Sequence, residues 1–371
     1  MLSEKEISSF ADTGHGGTPA PAHPFVSVIM PVRNEAAFIE RSIRAVASQD
    51  YPHDRMEILI ADGMSQDGTR DIISSLQQRH TNVRVIDNPA KIVAAGLNAA
   101  LRQAKGEVIV RIDGHCEVAS DYLSRCVWHL LQTQVDAVGG PVETIGESLT
   151  ARAIATAMSS RFGVGDSAFR IAKSSTQFTD TVAFPAYRRS VIDRGGHFDE
   201  ELVRNQDDEY NYRLRKLGVK ILLASDIRSR YYSRATLAKL GSQYFQYGYW
   251  KVRVMQKHPR QMQLRQFVPP LFVVALLAGL LMLPILPIAP YVIGLIVSLY
   301  AVSVITASIH SARKSEWQLL PLLPIAFATL HLAYGSGFLF GVVRFWNRWG
   351  VGQNRAQSGL PLRDVDKYES V

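Results

Sequence analysis

The chain has 371 residues, 47% of them hydrophobic, and a formal net charge of +8 from 41 Lys and Arg against 33 Asp and Glu. Such a balance suits an anionic partner, whether nucleic acid, a membrane surface or a negatively charged substrate. The two cysteines, Cys116 and Cys126, lack CxxC spacing, so neither a disulfide scaffold nor a cysteine zinc site is suggested.

In chain order, "MLSEKEISSF" shows no basic-then-apolar pattern, so no cleavable signal is expected. Residues 11–24 are rich in Gly and Pro, and 1–24 are expected to form a disordered lead-in. From 25 to 140, short apolar runs alternate with helical patterns. Strands are predicted at 25–32, 56–63, 83–89 and 107–114, and helices at 36–49, 69–80, 92–104 and from about Asp121. That alternation implies an α/β domain, a mostly parallel sheet flanked by helices. In such sheets ligands bind beyond the carboxyl ends of the strands, which singles out "PVRNE" (31–35), "ADGMSQDGT" (61–69) and "DGH" (113–115).

The block 141–235 is less regular, with a loop expected at "RFGVGDSAFR" (161–170) and a helix at "NQDDEYNYRLRKLG" (205–218). Residues 236–266 read as an amphipathic helix and linker. Leu240, Tyr244, Tyr247 and Val254 recur at helical spacing while Lys239, Lys251, Arg253 and Lys257 add charge, which suits the lipid interface. From Phe267 to Ile309 there are 43 residues without Lys, Arg, Asp, Glu or His, and Leu319–Val343 is interrupted only by His331. A spanning helix needs about 20 apolar residues, so 267–343 can hold three hydrophobic segments, followed by a polar tail at 344–371. This pattern decides for a membrane over nucleic acid.

Three acidic places could carry chemistry. Asp62, at a strand end, could accept the imide N–H of uracil or cap the next helix. Asp67 already offers a cap, which leaves Asp62 for a ligand. Residues i and i+2 of an extended strand end point the same way, so Asp113 and His115 can reach one ion. A divalent ion on a diphosphate needs few protein ligands, and imidazole tilts the choice from Mg²⁺ toward Mn²⁺. "QDDE" (206–209) opens a helix, where the macrodipole favours negative charge, yet a nucleophilic hydroxyl also needs a base there.

With these motifs in this order, the chain resembles the inverting family-two glycosyltransferases of GT-A, nucleotide-sugar-binding fold. The resemblance runs from about Phe25 to Pro259 and rests on "VSVIMPVRNEAAFIERSI", "ILIADGMSQDGT" and "VRIDGHCEVASDYL". More narrowly, "RFGVGDSAFR", "NQDDEYNYRLRKLG" and "QYFQYGYWKVRVMQKHP" are similar to the ExoA-type membrane-bound enzymes of succinoglycan-like exopolysaccharide synthesis. The resemblance implies a GT-A domain over 25–235 that transfers a sugar from a UDP-sugar to a polyprenyl-diphosphate-linked glycan, with other polysaccharide-assembly proteins as partners. It implies a multi-pass protein of the inner (cytoplasmic) membrane with its catalytic domain in the cytoplasm. Pro31, Arg33, Glu35 and Asp62 would line the nucleotide pocket, and Asp113 and His115 would hold a divalent metal, Mn²⁺ or Mg²⁺. Asp207, with Asp208 beside it, would be the base, and Gln246 and Trp250 would meet the acceptor.

Three departures from the wider family stand out. His115 replaces an Asp of the metal motif, Gln206-Asp207 replaces Glu-Asp, and Gln246-Tyr247-Gly248-Tyr249-Trp250 lacks the Arg of the processive synthases. Similarity to the ExoA-type subgroup implies a subgroup variant and not a dead enzyme, while the missing Arg argues against processive polymerisation. A polyprenyl-phosphate sugar synthase and a non-catalytic nucleotide-sugar sensor are the rival readings. Topology is in tension. Three spans put the tail outside, yet it carries Arg344, Arg348 and Arg355, which the positive-inside bias would keep in. Three spans with an external C-terminus is the expectation, and a re-entrant last segment broken at Tyr334-Gly335-Ser336-Gly337 is the alternative.

Overall fold

The computed structural model describes residues 23–171 and 175–349. All but His23 and Pro24 of the expected lead-in, and the tail beyond Trp349, lie outside the described residues. The chain divides into two units, residues 1–143 with 168–231, and residues 144–167 with 232–371.

The first unit is built on strands β1 (Val26–Val32), β2 (Met56–Asp62), β3 (Val83–Asp87) and β4 (Val108–Arg111), then β5 (Cys116–Val118) and β6 (Ala137–Gly140). Strands β7 (Val142–Ile145), β8 (Gln177–Phe178), β9 (Ala183–Arg188), β10 (Ile221–Leu223) and β11 (Ser229–Tyr232) follow. The main sheet has the order β3-β2-β1-β4-β9-β6-β10-β8. Its β3-β2-β1-β4 half is parallel, as the alternation predicts. All seven residues of β2 are buried, the pattern of a strand covered on both faces. Helices Ile39–Ala47, Thr69–Gln77 and Val93–Gln103 connect these strands. The first buries Ile39, Ile43 and Val46, spaced four and three apart on one face.

The other half was not legible. β9 runs antiparallel between β4 and β6, and β8 antiparallel beside β10. These strands have two to six residues, too short to show a period. The expected loop at 161–170 is instead two short helices, Arg161–Val164 and Ala168–Ile171. The acidic helix spans Gln206–Lys216 and ends at Gly218, whose φ of 77° a glycine adopts without strain.

In the second unit, helix Leu237–Lys257 packs along helix Leu323–Arg344. Glycines make the approach close. A Cβ on Gly248 would land on the Tyr334 carbonyl oxygen, one on Gly337 on that of Phe245, and one on Gly341 2.6 Å from that of Tyr249. Lys251, Arg253 and Lys257 are buried. These cations therefore face protein, not the lipid headgroups the sequence suggested. Among the described residues three helices are long and apolar enough to cross a membrane: Leu264–Met282, Ala289–Lys314 and Leu323–Arg344. The last is continuous through Tyr334–Gly337, without the break the sequence allowed.

Candidate active site

The ends of β1, β2 and β4 bring "PVRNE", "ADGMSQDGT" and "DGH" to one edge of the main sheet. Pro31 is the sixth residue of β1, and Arg33 follows the strand, its side chain lying 3.1 Å from where a Cβ on Gly63 would stand. Asn34 and Met64 have positive φ, 52° and 57°, in the two turns beside it. These turns are laced together, since Asn34 N–H donates to Ser65 Oγ (2.9 Å) and Gln66 N–H to Asn34 Oδ1 (2.9 Å).

Asp62 is not the free acceptor the sequence suggested. It is fully buried, accepts from Ser65 Oγ at 2.6 Å and pairs with Arg70 Nε at 3.2 Å. Asp67 takes the expected structural part, accepting from the N–H groups of Thr69 and Ala36 at 3.1 Å each.

Beyond β4, His115 Nδ1 shares a 2.8 Å hydrogen bond with Glu35 Oε1. A carboxylate only accepts, so Nδ1 carries the proton and Nε2 is left for an ion. Glu35 reaches His115 over Gly114, where an added Cβ would meet Glu35 Cγ at 3.4 Å. Sequence reasoning had placed Glu35 with the nucleotide, and the structure ties it to the histidine. Burial pulls the His115 imidazole down, but the Glu35 hydrogen bond, the neighbouring Tyr231 hydroxyl and the charges of Glu35 and Asp113 outweigh it, and its pKa is pushed up to about 9.

Asp113 receives a two-pronged contact from Arg111, Nε to Oδ1 at 3.0 Å and Nη2 to Oδ2 at 3.3 Å. The third guanidinium nitrogen, Nη1, lies 3.9 Å from Asp207 Oδ2. Arg111 is only 8% exposed, so it is a buried cation held by two carboxylates from different elements. Sequence reasoning missed it, although an Arg two residues before the metal-motif Asp on a strand end was the available signal.

The acidic helix starts from Asn205, in the left-handed region at φ 60°, a conformation Asn tolerates. Glu209 is buried in a two-pronged pair with Arg213 and is structural. Asp207 is 52% exposed. Desolvation and then Asp208 raise its pKa, Arg111 opposes them, and the surrounding water limits the push. Gln206 is buried beside it, where a carboxylate would add a third like charge to those of Asp207 and Asp208.

Among the described residues no group of three or more His, Cys, Asp and Glu side chains is placed to hold a metal. The donors at the edge are the Asp113 carboxylate and His115 Nε2, with Glu35 orienting the ring as a carboxylate behind a ligating histidine does. Two protein donors fit a divalent cation that takes its other oxygens from a diphosphate and water. Glu35→Gln should therefore weaken Mn²⁺ binding about 10- to 100-fold, measured by electron paramagnetic resonance with UDP present. An unchanged affinity would separate Glu35 from any metal role.

Gln246 and Trp250 lie on helix Leu237–Lys257. Trp250 is buried, its ring 5.6 Å from that of Phe345. It is used in packing and not presented to an acceptor as the sequence suggested.

The family model "Glycosyl transferase family 2" matches residues 27–196. The succinoglycan biosynthesis protein ExoA of Rhizobium meliloti is 31% identical over 327 residues, 86% of this chain and 96% of its own. The chain belongs to glycosyltransferase family 2. It is an enzyme, a glycosyltransferase. A Methanococcus voltae relative is 27% identical over 86% of this chain and 98% of its own; its name is dolichyl N-acetyl-alpha-D-glucosaminyl phosphate 3-beta-D-2,3-diacetamido-2,3-dideoxy-beta-D-glucuronosyltransferase. The mannosyltransferase PcManGT from Pyrobaculum calidifontis, solved with GDP-Man and Mn²⁺, matches with a TM-score of 0.54 at 20% identity. The match covers 91% of this chain and 93% of that one. The fold is therefore GT-A.

Proposed function

We propose that this family-two enzyme transfers a sugar, with inversion, from a UDP-sugar to a polyprenyl-diphosphate-linked glycan. The reaction takes place at the cytoplasmic face of the inner membrane, in exopolysaccharide synthesis. The observation that carries the chemistry is the Arg111 bridge, which brings Asp207 from the acidic helix to the carboxylate of the Asp113–His115 motif. Names support the acceptor: one relative serves succinoglycan synthesis, and the other extends a sugar already joined to a lipid phosphate.

Asp207 takes the proton of the acceptor hydroxyl. That oxygen bonds to the anomeric carbon on the face opposite UDP, the bond from that carbon to the diphosphate oxygen breaks, and UDP leaves with the electron pair. Asp113 and His115 would hold a divalent cation, which would neutralise the charge growing on the diphosphate. Pro31, Arg33 and the backbone of the Asp62 turn border the nucleotide. The test is a membrane preparation supplied with UDP-sugars and lipid extract, with UDP release and the mass of the lipid product as readouts. A product bearing one sugar on lipid monophosphate would overturn the glycan-acceptor reading in favour of a polyprenyl-phosphate sugar synthase. No UDP release with any donor would favour a sensor.

Chelation should abolish activity, and Mn²⁺ should restore it better than Mg²⁺. His115→Asp should shift the preference toward Mg²⁺, since a carboxylate is the harder ligand. Because the His115 imidazole holds its second proton up to about pH 9 without a cation, half-activation should need less Mn²⁺ as pH rises from 7 toward 9. Activity indifferent to thorough chelation would remove Asp113 and His115 from a metal role.

A further inference from the structure

Both ends of helix Leu323–Arg344 pack on segments that precede the first apolar helix in the chain. At the N-terminal end, Phe327 meets Phe162 ring to ring at 5.1 Å, and His331 Nε2 is 2.8 Å from the Phe162 carbonyl oxygen. At the C-terminal end, Gln256 Nε2 donates to the Phe345 carbonyl at 2.7 Å and Arg253 Nη1 to that of Arg348 at 3.2 Å. Between them the helix runs parallel to helix Leu237–Lys257: Gly241 faces Thr329, Gly248 faces Tyr334, and Tyr249 faces Gly341.

Two helices side by side in the same direction either both cross a membrane or neither does. Helix Leu237–Lys257 carries Lys239, Lys251, Arg253 and Lys257 and is not among the helices apolar enough to cross. A charged side chain at the bilayer centre is costly, and this helix would place several there. The exposure of the other two apolar helices agrees. Leu277, Leu280 and Leu281 of the first, and Tyr291, Leu295 and Leu299 of the second, are all exposed, so among the described residues no third helix accompanies their far ends. Helix Leu323–Arg344 meets that pair around Phe267–Val273, where Gly335 meets Pro269 and Val273 and the Phe338 ring lies 5.9 Å from that of Phe267, and at Tyr300, which His331 meets. Of its exposed large apolar residues, Ile325, Leu332, Phe340 and Val343 are seven, eight and three apart and form one stripe, with Val342 to one side of it.

We propose that helix Leu323–Arg344 lies in the plane of the membrane interface beside helix Leu237–Lys257, with this stripe toward lipid, and does not cross. Only Leu264–Met282 and Ala289–Lys314 span. The tail then stays on the side of the catalytic domain, and Arg344, Arg348 and Arg355 no longer conflict with the positive-inside bias. An apolar face sunk in the interface with cations at its end is the ordinary arrangement of a monotopic helix.

The inference concerns sidedness relative to the catalytic domain, so it does not rest on which compartment holds that domain. Three added-cysteine variants of the full chain test it in spheroplasts with a membrane-impermeant maleimide. Gln132→Cys reports the catalytic domain, Leu286→Cys the turn between the two spans, and Ser370→Cys the tail. Cys116 and Cys126 are buried, and the unsubstituted chain supplies the blank. Ser370→Cys should label under the same condition as Gln132→Cys, after permeabilisation if the domain is cytoplasmic, and opposite to Leu286→Cys. Labelling of Ser370→Cys together with Leu286→Cys would overturn the proposal and restore three spans. Gln132→Cys labelling in intact spheroplasts would overturn only the cytoplasmic assignment.

Discussion

Asp207→Asn should lower kcat about 10²- to 10⁴-fold while leaving the dissociation constant for the UDP-sugar within about threefold, since the amide keeps the size of the side chain and only loses the base. The geometry gives a reason to choose Asp207 over its neighbours. Glu209 is committed to Arg213, and Asp207 is the carboxylate of the acidic helix that approaches Arg111. Its carboxyl is raised by desolvation and by Asp208, so the acid limb of kcat should fall above the ordinary aspartate value of about 3.9. The sign follows from the role: the base works ionised, and activity is lost as pH drops through the raised value. Asp208→Asn should move that limb downward, because it removes the like charge, and should keep most of the rate. Full activity in Asp207→Asn with loss in Asp208→Asn would transfer the base to Asp208.

The half of the fold that holds the site was legible in the sequence, because β1, β2 and their helices bury continuous apolar runs and single faces that show as periodicity. The predicted helix at 69–80 and strand at 56–63 differ from the observed elements by three residues or fewer at their ends. The acidic helix, the helix at 236–257 and the three apolar segments were legible too, but the short strands and the side-chain pairings were not, for two physical reasons. Strands such as β8 and β10 have two and three residues, and their place in the sheet is fixed by partners far away in sequence. Side-chain engagement is likewise invisible to spacing. Asp62 reads as a free strand-end carboxylate until Ser65 and Arg70 are seen on it, and Glu35 reads as a nucleotide residue until His115 is seen 2.8 Å away. The same limit applied to the last apolar segment. Its length and composition permit a span, the arginines that follow it oppose one, and the partners along it and at its two ends decide against it.

Arg111→Met should be the most damaging single change at the site, affecting stability and turnover together. A buried cation that holds two carboxylates cannot be removed without leaving charge unpaired, and breaking such a pair by deleting one partner costs about 3–5 kcal/mol. Asp113 is 22% exposed and Asp207 52% exposed, so water relieves part of that cost and the low end of the range is expected. Thermal unfolding in detergent should show it as a clear fall in Tm. Turnover should fall further than Tm accounts for, because Asp207 loses the group that fixes its carboxylate relative to Asp113. Arg111→Lys separates the two effects. An ammonium keeps the charge but not the planar fork that reaches Asp113 through Nε and Nη2 and Asp207 through Nη1. It should recover most of the stability and little of the rate, with kcat changed more than KM for the donor. If Arg111→Lys restored kcat in full, a nearby positive charge would suffice and the three-nitrogen geometry would have no part in positioning the base.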